Sequence, residues 1–271
     1  MEQPIGEILP GLGLSSIIEL LLGFLITSIR LSAFIIAAPL FSAAFLMVRV
    51  RILIAFVISI IVFSTQPQAV DTKILSSAFG IVVIIKEIAI GASAGLLLSI
   101  MFSAVSLAGE KIATSAGLSY AAQVDPVSGV QTPVVSQMLY LFLIMIFLTF
   151  DGHLLALRIL IESYQIIPIG QLPEPSALID GGMAASGSMF LNASIIMLPV
   201  VIIILLINVS IGIITRAAPQ LNLFSFGFPM TMLGAFIVLY LSVGNFGFAF
   251  SDLVDTSLDH LMSMLESLAN G

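Results

Sequence analysis

The sequence predicts an all-α integral membrane-type protein, about six apolar helices joined by kinked or broken hairpins. Two observations carry this. Hydrophobic residues make up 59% of the 271-residue chain and charged residues 8%, whereas soluble domains carry roughly 25% charged residues. The apolar residues are also gathered into runs near the ~20 residues that a helix needs to cross a bilayer, and the alternating ten-residue segments of a membrane barrel are absent.

Six such runs are expected: 16–40, 52–64, 74–105, 134–150, 189–215 and 226–250. The second is short, so it should tilt, re-enter or lie against neighbours. Glu2 and Glu7 without any Lys or Arg in the first 14 residues argue against a cleaved signal peptide, and the first run should act as a retained anchor. With the N-terminus outside, Arg49, Arg51, Lys111 and Arg216 fall inside, while Lys73 and Arg158 fall outside. The tail after Phe250 has no Lys or Arg and is expected outside as well.

The runs are separated by segments that hydrocarbon cannot solvate. Residues 106–133, SLAGEKIATSAGLSYAAQVDPVSGVQTP, are too polar for lipid and too apolar for a free loop. Backbone of that kind is tolerated at membrane depth only where protein covers it or where it lines a watery cavity. Residues 151–188 open with an amphipathic helix carried by Leu154, Leu157 and Ile161, ended by Pro168 and Gly170 ahead of a proline-rich turn. Residues 216–229, RAAPQLNLFSFGFP, form a structured break or an ordinary hairpin loop. In the former, Pro219 and Pro229 remove backbone donors, and Gln220 and Asn222 can bond the orphaned carbonyls.

The end of the chain, 251–271, reads as an acidic amphipathic tail helix. Val254, Leu258, Leu261, Leu265 and Leu268 recur at helical spacing, Asp252, Asp255, Asp259 and Glu266 fall between them, and Ser251 is the expected N-cap. The organisation is thus an N-terminal segment 1–15, a first helical group 16–105, the polar segment 106–133, a second helical group 134–250 and the tail.

A few side chains stand out chemically. Arg30 lies inside the first run, where a charge costs roughly 2.5–3.5 kcal/mol. Its candidate partners are Glu87, Glu110 and carbonyls freed near Pro39, with snorkelling to an interface as the alternative. Lys86 and Glu87 are adjacent and should partly neutralise each other. Gly91 and Gly95, in GASAG, are a small-xxx-small pair that permits close helix approach.

Several function classes find no support. The chain has no cysteine, which excludes disulfides, thiolate zinc sites and cysteine nucleophiles. Asp151, His153 and Glu162 do not share a helix face at ligand spacing, so His153 is expected to bond the helix start instead of a metal. No Lys-Ser/Thr phosphate loop is present. A net charge of −7 argues against nucleic acid as a partner. No catalytic residue, cofactor or metal is expected.

Four stretches occur in series: AAPLFS with RVRI downstream, AGEKIATSAGLSYAAQVDP, FLTFDGHLL leading to IIPIG, and RAAPQLNLFSFGFPM. In them the chain resembles the R-type subunits of the type III secretion export gate, the family of flagellar FliR and its injectisome counterparts. It departs at Met47, where the family usually has proline before the basic step, and at Asp151, where asparagine is commoner.

The resemblance implies a helical, ring-like assembly around a secretion pore with P-type and Q-type subunits (FliP, FliQ) and the B-type switch subunit (FlhB). That assembly sits at the core of the flagellar basal body in the bacterial inner membrane, contacts membrane lipid and passes unfolded secreted polypeptides; both termini would be periplasmic. It implies further that residues 109–124 plug the resting pore, which puts Gly109, Glu110, Lys111, Ala116, Gly117, Leu118, Ser119, Tyr120, Asp125 and Pro126 at the pore loop. Subunit packing and helix breaks are then expected at Arg30, Pro39, Phe41, Gly91, Gly95, Gly152, His153, Pro168, Arg216, Pro219, Gln220, Asn222, Phe224, Gly227 and Pro229. The competing readings are an injectisome gate subunit, a stand-alone secondary transporter or channel with a midplane polar site, and an intramembrane hydrolase using His153.

Overall fold

A computed structural model describes residues 14–40, 47–65, 78–118, 134–171, 176–218 and 226–270. Among the described residues there are seven α-helices and no strand. They are α1 (Leu14–Ala37), α2 (Val48–Thr65), α3 (Ala78–Ser115), α4 (Val134–Thr149), α5 (Gly152–Ile166), α6 (Ser176–Ala217) and α7 (Phe228–Asn270). Five are long and apolar enough to cross a membrane, or six if the bent pair α4 and α5 counts as one span. The all-helical membrane class and the expected number of spans both hold.

Three helices run well past their predicted ends. α3, α6 and α7 contain 38, 42 and 43 residues, about 57–65 Å at ~1.5 Å per residue, against a hydrocarbon core of ~30 Å. The expected boundary at residue 106 is therefore corrected, because α3 continues to Ser115. Its buried stripe of Phe102, Val105, Ala108, Ile112 and Ala116 stays in phase through the polar stretch. The separate tail helix is corrected for the same reason. Phe246, Phe250, Leu253, Ser257, Leu261, Met264 and Leu268 are buried in one continuous stripe, so Ser251 lies mid-helix and caps nothing. The acidic side chains Asp252, Asp255, Asp259 and Glu266 are exposed opposite that stripe, as their spacing predicts. Likewise residues 176–188 are helical, where a turn was expected beyond Gly170.

The break at 216–229 is narrower than its sequence suggests. Arg216 belongs to the last turn of α6, where a cation favours the helix dipole. Pro229 is the second residue of α7, where a missing backbone donor has little cost. Pro219, Gln220, Asn222 and Phe224 lie outside the described residues, as do Phe41, Ser119, Tyr120, Asp125 and Pro126.

The chain divides into two compact units, 1–99 with 153–184 and 258–271, and 100–152 with 185–257. In the first, α1 and the early part of α3 run side by side in the same direction. Glu87, Gly91, Gly95 and Ser99 recur every four residues and so form one face of α3. A Cβ on Gly91 would overlap the Arg30 carbonyl oxygen, and one on Gly95 would stand 2.7 Å from the Ala37 Cβ and 2.8 Å from the Ala38 nitrogen. Ser99 closes the seam by donating to the Ala37 carbonyl at 2.7 Å. The small-residue pattern is thus an internal helix contact. α2 joins through Phe24, which meets Phe56 and Phe63 edge-on at 5.5 and 6.0 Å.

In the second unit the late part of α3 packs on α4. A Cβ on Gly109 would stand 2.5 Å from the Ser136 Cα, and the Ser136 hydroxyl donates to the Ser106 carbonyl at 2.9 Å. Phe102 meets Phe147 edge-on at 5.1 Å, while Phe250 contacts Phe142 and Phe246. Between α4 and α5 the backbone turns at Asp151, whose φ is 55°. Asn and Asp enter that left-handed region most readily among non-glycine residues, so Asp151 suits the turn.

Gly91→Ala should lower stability by roughly 1–3 kcal/mol, because the obstruction is backbone and cannot rotate away. Gly182→Ala and Gly187→Ala, where a Cβ meets nothing within 4 Å, should be neutral or stabilising by up to ~1 kcal/mol. Thermal unfolding of the three variants in detergent checks this; equal midpoints would refute the contact.

Candidate functional site

Two polar places organise the molecule, one in each unit. In the first, Arg30 is fully buried together with Glu87, and Lys86 is 8% exposed. The Arg30 guanidinium donates through Nε to Glu87 Oε2 at 2.6 Å, to Ser163 Oγ at 2.9 Å and to the Ile167 carbonyl at 3.0 Å. It also lies over the Tyr164 ring, 4.2 Å from its centre. Lys86 pairs with Glu87 Oε1 at 3.2 Å and donates to the Pro168 and Gln171 carbonyls at 3.1 and 2.7 Å.

These contacts follow from helix ends. α5 stops at Ile166 because Pro168 cannot continue it, and the turn that follows presents the carbonyls of Ile167, Pro168 and Gln171. Two cations take them up, a favourable arrangement at the negative end of a helix dipole. Ser163 passes its own proton to the Leu160 carbonyl at 2.5 Å, and the Tyr164 hydroxyl donates to the Thr27 carbonyl at 2.7 Å. The node therefore ties α1, α3 and α5 together through Arg30, Glu87, Ser163 and Tyr164.

Of the partners expected for Arg30, Glu87 is the one found. Glu110 is exposed and belongs to the second unit, and the carbonyl used is that of Ile167 and not one near Pro39. Ser163 and Tyr164 were missed by sequence reasoning; their spacing from Leu160 was a signal, because it places them on the buried face of α5. His153 is half-buried in the first turn of α5, and Gly152 packs against the Phe147 ring.

In the second unit the last turn of α3 ends in a glycine cap. Gly117 has φ 80°, its N–H donates to the Thr114 carbonyl at 3.1 Å and the Leu118 N–H donates to the Ala113 carbonyl at 3.0 Å. This 6→1 and 5→2 pair is the Schellman arrangement, which needs a residue free to turn left-handed. Of the expected pore-loop residues, Gly109, Glu110 and Lys111 are helical, Ala116 is buried in the same stripe, and Gly117 and Leu118 form the exit. Glu110 lies on a groove of about 570 Å³ shared with Ser103, Ser106, Gln137 and Tyr140. Asn208 of α6, also missed, donates to the Ser115 carbonyl and accepts from Thr231 of α7.

Long apolar helices, buried charge matched inside the chain and a glycine-terminated helix leading into a polar segment define a polytopic helical membrane protein with no assembled catalytic grouping among the described residues. Its residues 21–257 match the family described as bacterial export proteins, family 1. The chain is 35% identical over 204 residues to the flagellar biosynthetic protein FliR of Pectobacterium carotovorum, covering 75% of this chain and 77% of that one. To FliR of Bacillus subtilis it is 34% identical over 236 residues, covering 83% and 88%. To the surface presentation of antigens protein SpaR of Shigella flexneri it is 24% identical over 212 residues, covering 78% and 81%. The chain belongs to the bacterial export protein family that includes FliR.

Glu87→Ala should strand two buried cations and lower the stability of the first unit by roughly 3–5 kcal/mol. The expected readout is loss of folded chain in detergent relative to wild type at equal expression. Retention of wild-type yield and melting would show that the node carries no such energy.

Proposed function

We propose that this chain is the R-type subunit of the flagellar type III protein export gate. With P-type and Q-type subunits (FliP, FliQ), and the B-type subunit (FlhB) beside them, it forms the pore through which unfolded flagellar proteins cross the bacterial inner membrane. The observation that carries this reading is the family match across 21–257 together with two FliR relatives near one-third identity. An injectisome role is the second reading, prompted by SpaR; the lower identity of that relative, 24%, favours the flagellar one.

The physical reading agrees with a subunit embedded among others. α3, α6 and α7 outrun the hydrocarbon core, and aromatic side chains such as Tyr240 and Phe248 stand 79% and 81% exposed, suited to lipid or to neighbouring subunits. Residues 109–124 close the resting pore, with 109–115 as a helical stem and the closing segment starting at Gly117. The role is passive. Opening displaces a segment whose glycine joint has an alternative conformation, and partners supply the energy by biasing a two-state equilibrium. The termini face the periplasm.

Deletion of residues 116–120 should leave the complex with its P-type and Q-type partners assembled and raise its resting ion conductance well above background in planar bilayers. Normal assembly with background conductance would remove the plug assignment.

A further inference from the structure

Among the described residues that line the groove of about 570 Å³ in the second unit, Glu110 alone is charged. Three helices wall this groove: α3 with Leu107 and Glu110, α4 with Gln137 and Tyr140, and α6 with Met189 and Phe190. The pairs on α3 and α4 are three residues apart and so share one helix face. All six residues belong to the same compact unit. Among the described residues Glu110 enters no ion pair and no hydrogen bond. It lies within Phe79–Ser115, a helix long and apolar enough to cross a membrane, where an unmatched carboxylate is costly.

The second unit holds no cation placed to balance it. Its basic residues are Lys111 and Arg216. Lys111 follows Glu110 directly and does not line the groove, since consecutive residues on a helix do not face each other. Arg216 stands about 39 Å along α6 from Phe190, at ~1.5 Å per residue. Residues 119–133, which join α3 to α4 in sequence, include Asp125 and no Lys or Arg.

The lining says what kind of cation fits. The groove is large against the ~30 Å³ that one water occupies in the liquid, so it admits a side chain. Leu107, Met189 and Phe190 offer apolar surface to an aliphatic stem. Tyr140 and Phe190 are aromatic, and a cation over such a ring is attracted to it. A hydrated metal ion would use the carboxylate and leave the apolar wall uncovered.

We propose that this groove is the docking site for an arginine or lysine side chain of a neighbouring subunit, with Glu110 as the counter-charge and Tyr140 as the aromatic platform. The inference rests on the reading of the chain as an export-gate subunit and adds to it the chemistry by which a neighbour is held. A matched pair of this kind also fixes the register of the two subunits, because sliding one past the other separates the charges.

The test uses the full chain purified in complex with its P-type and Q-type partners. Glu110→Gln keeps the shape and removes the charge, Glu110→Asp keeps the charge, and Lys111→Gln alters the neighbour that does not line the groove. The share of chain recovered in the complex should fall about ten-fold in Glu110→Gln, the difference between a charged and a neutral hydrogen bond, and stay within about two-fold of wild type in the other two. The amount of membrane-inserted chain should be equal in all. With Tyr140 replaced by a photoreactive benzophenone amino acid, illumination should join the chain to a partner peptide that contains Arg or Lys. Changing that basic residue to Glu together with Glu110→Lys should then restore assembly. Wild-type recovery of Glu110→Gln overturns the docking site, as does an equal loss in Lys111→Gln, or a cross-link to phospholipid alone or to no partner. Should Glu110→Gln fail to accumulate, the cross-link in the otherwise wild-type chain decides. If the wild-type chain does not assemble with these partners, the gate reading falls and takes the docking site with it; where the wild type assembles, an overturning result removes the docking site alone.

Discussion

The pairing of Arg30 with Glu87 constrains the rest of the first unit. A guanidinium removed from water is tolerable only where a carboxylate and further acceptors stand at hydrogen-bonding distance, and in this chain those acceptors lie on two other helices. Glu87 fixes the rotation of α3, while Ser163 and the Ile167 carbonyl fix the end of α5. The glycines serve the same contact. Gly91 is one turn beyond Glu87, and the atom it makes room for is the carbonyl oxygen of Arg30 itself. Side chain and backbone of one residue therefore meet the same face of α3. Lys86 brings a second cation to one carboxylate; the carbonyls beyond Pro168 absorb the excess, which ties the proline turn to the same node.

The second unit solves a different problem, how to end a long buried helix beside a segment that neither lipid nor water suits. α3 carries its apolar stripe ten residues past the point where the composition turns polar, and Gly109 allows α4 to lie against it at Ser136. It then stops at a glycine cap, and the Ser115 carbonyl of its last turn accepts from the Asn208 amide of α6.

The class of the protein and most of its element positions were legible because they depend on local composition. Hydropathy located the spans, the glycine pair announced a close contact, and the leucine spacing of the tail placed its buried face correctly. The ends of helices were less legible. Polarity at 106–115 and at Ser251 suggested interruptions, yet a helix tolerates polar residues wherever its buried stripe remains in phase, and phase is a property of the neighbours it packs against. Pro229 likewise looked like a breaker and stands where proline is favourable.

By itself the sequence determined that the chain is helical, apolar and suited to a membrane; for Arg30 it offered Glu87, Glu110 and carbonyls near Pro39 beside snorkelling to an interface, and it marked 106–133 and 216–229 as polar interruptions. Those are consequences of solvation, which each residue carries with it wherever the chain goes. Only the tertiary structure decided that Glu87 and not Glu110 is the acid, that Ser163, Tyr164 and Ile167 complete its shell, and that Asn208 meets the end of α3 from 93 residues away. Such choices depend on which helix faces which, and hydrogen bonds acting over about 3 Å select among chemically equal candidates only after packing has brought one of them within reach.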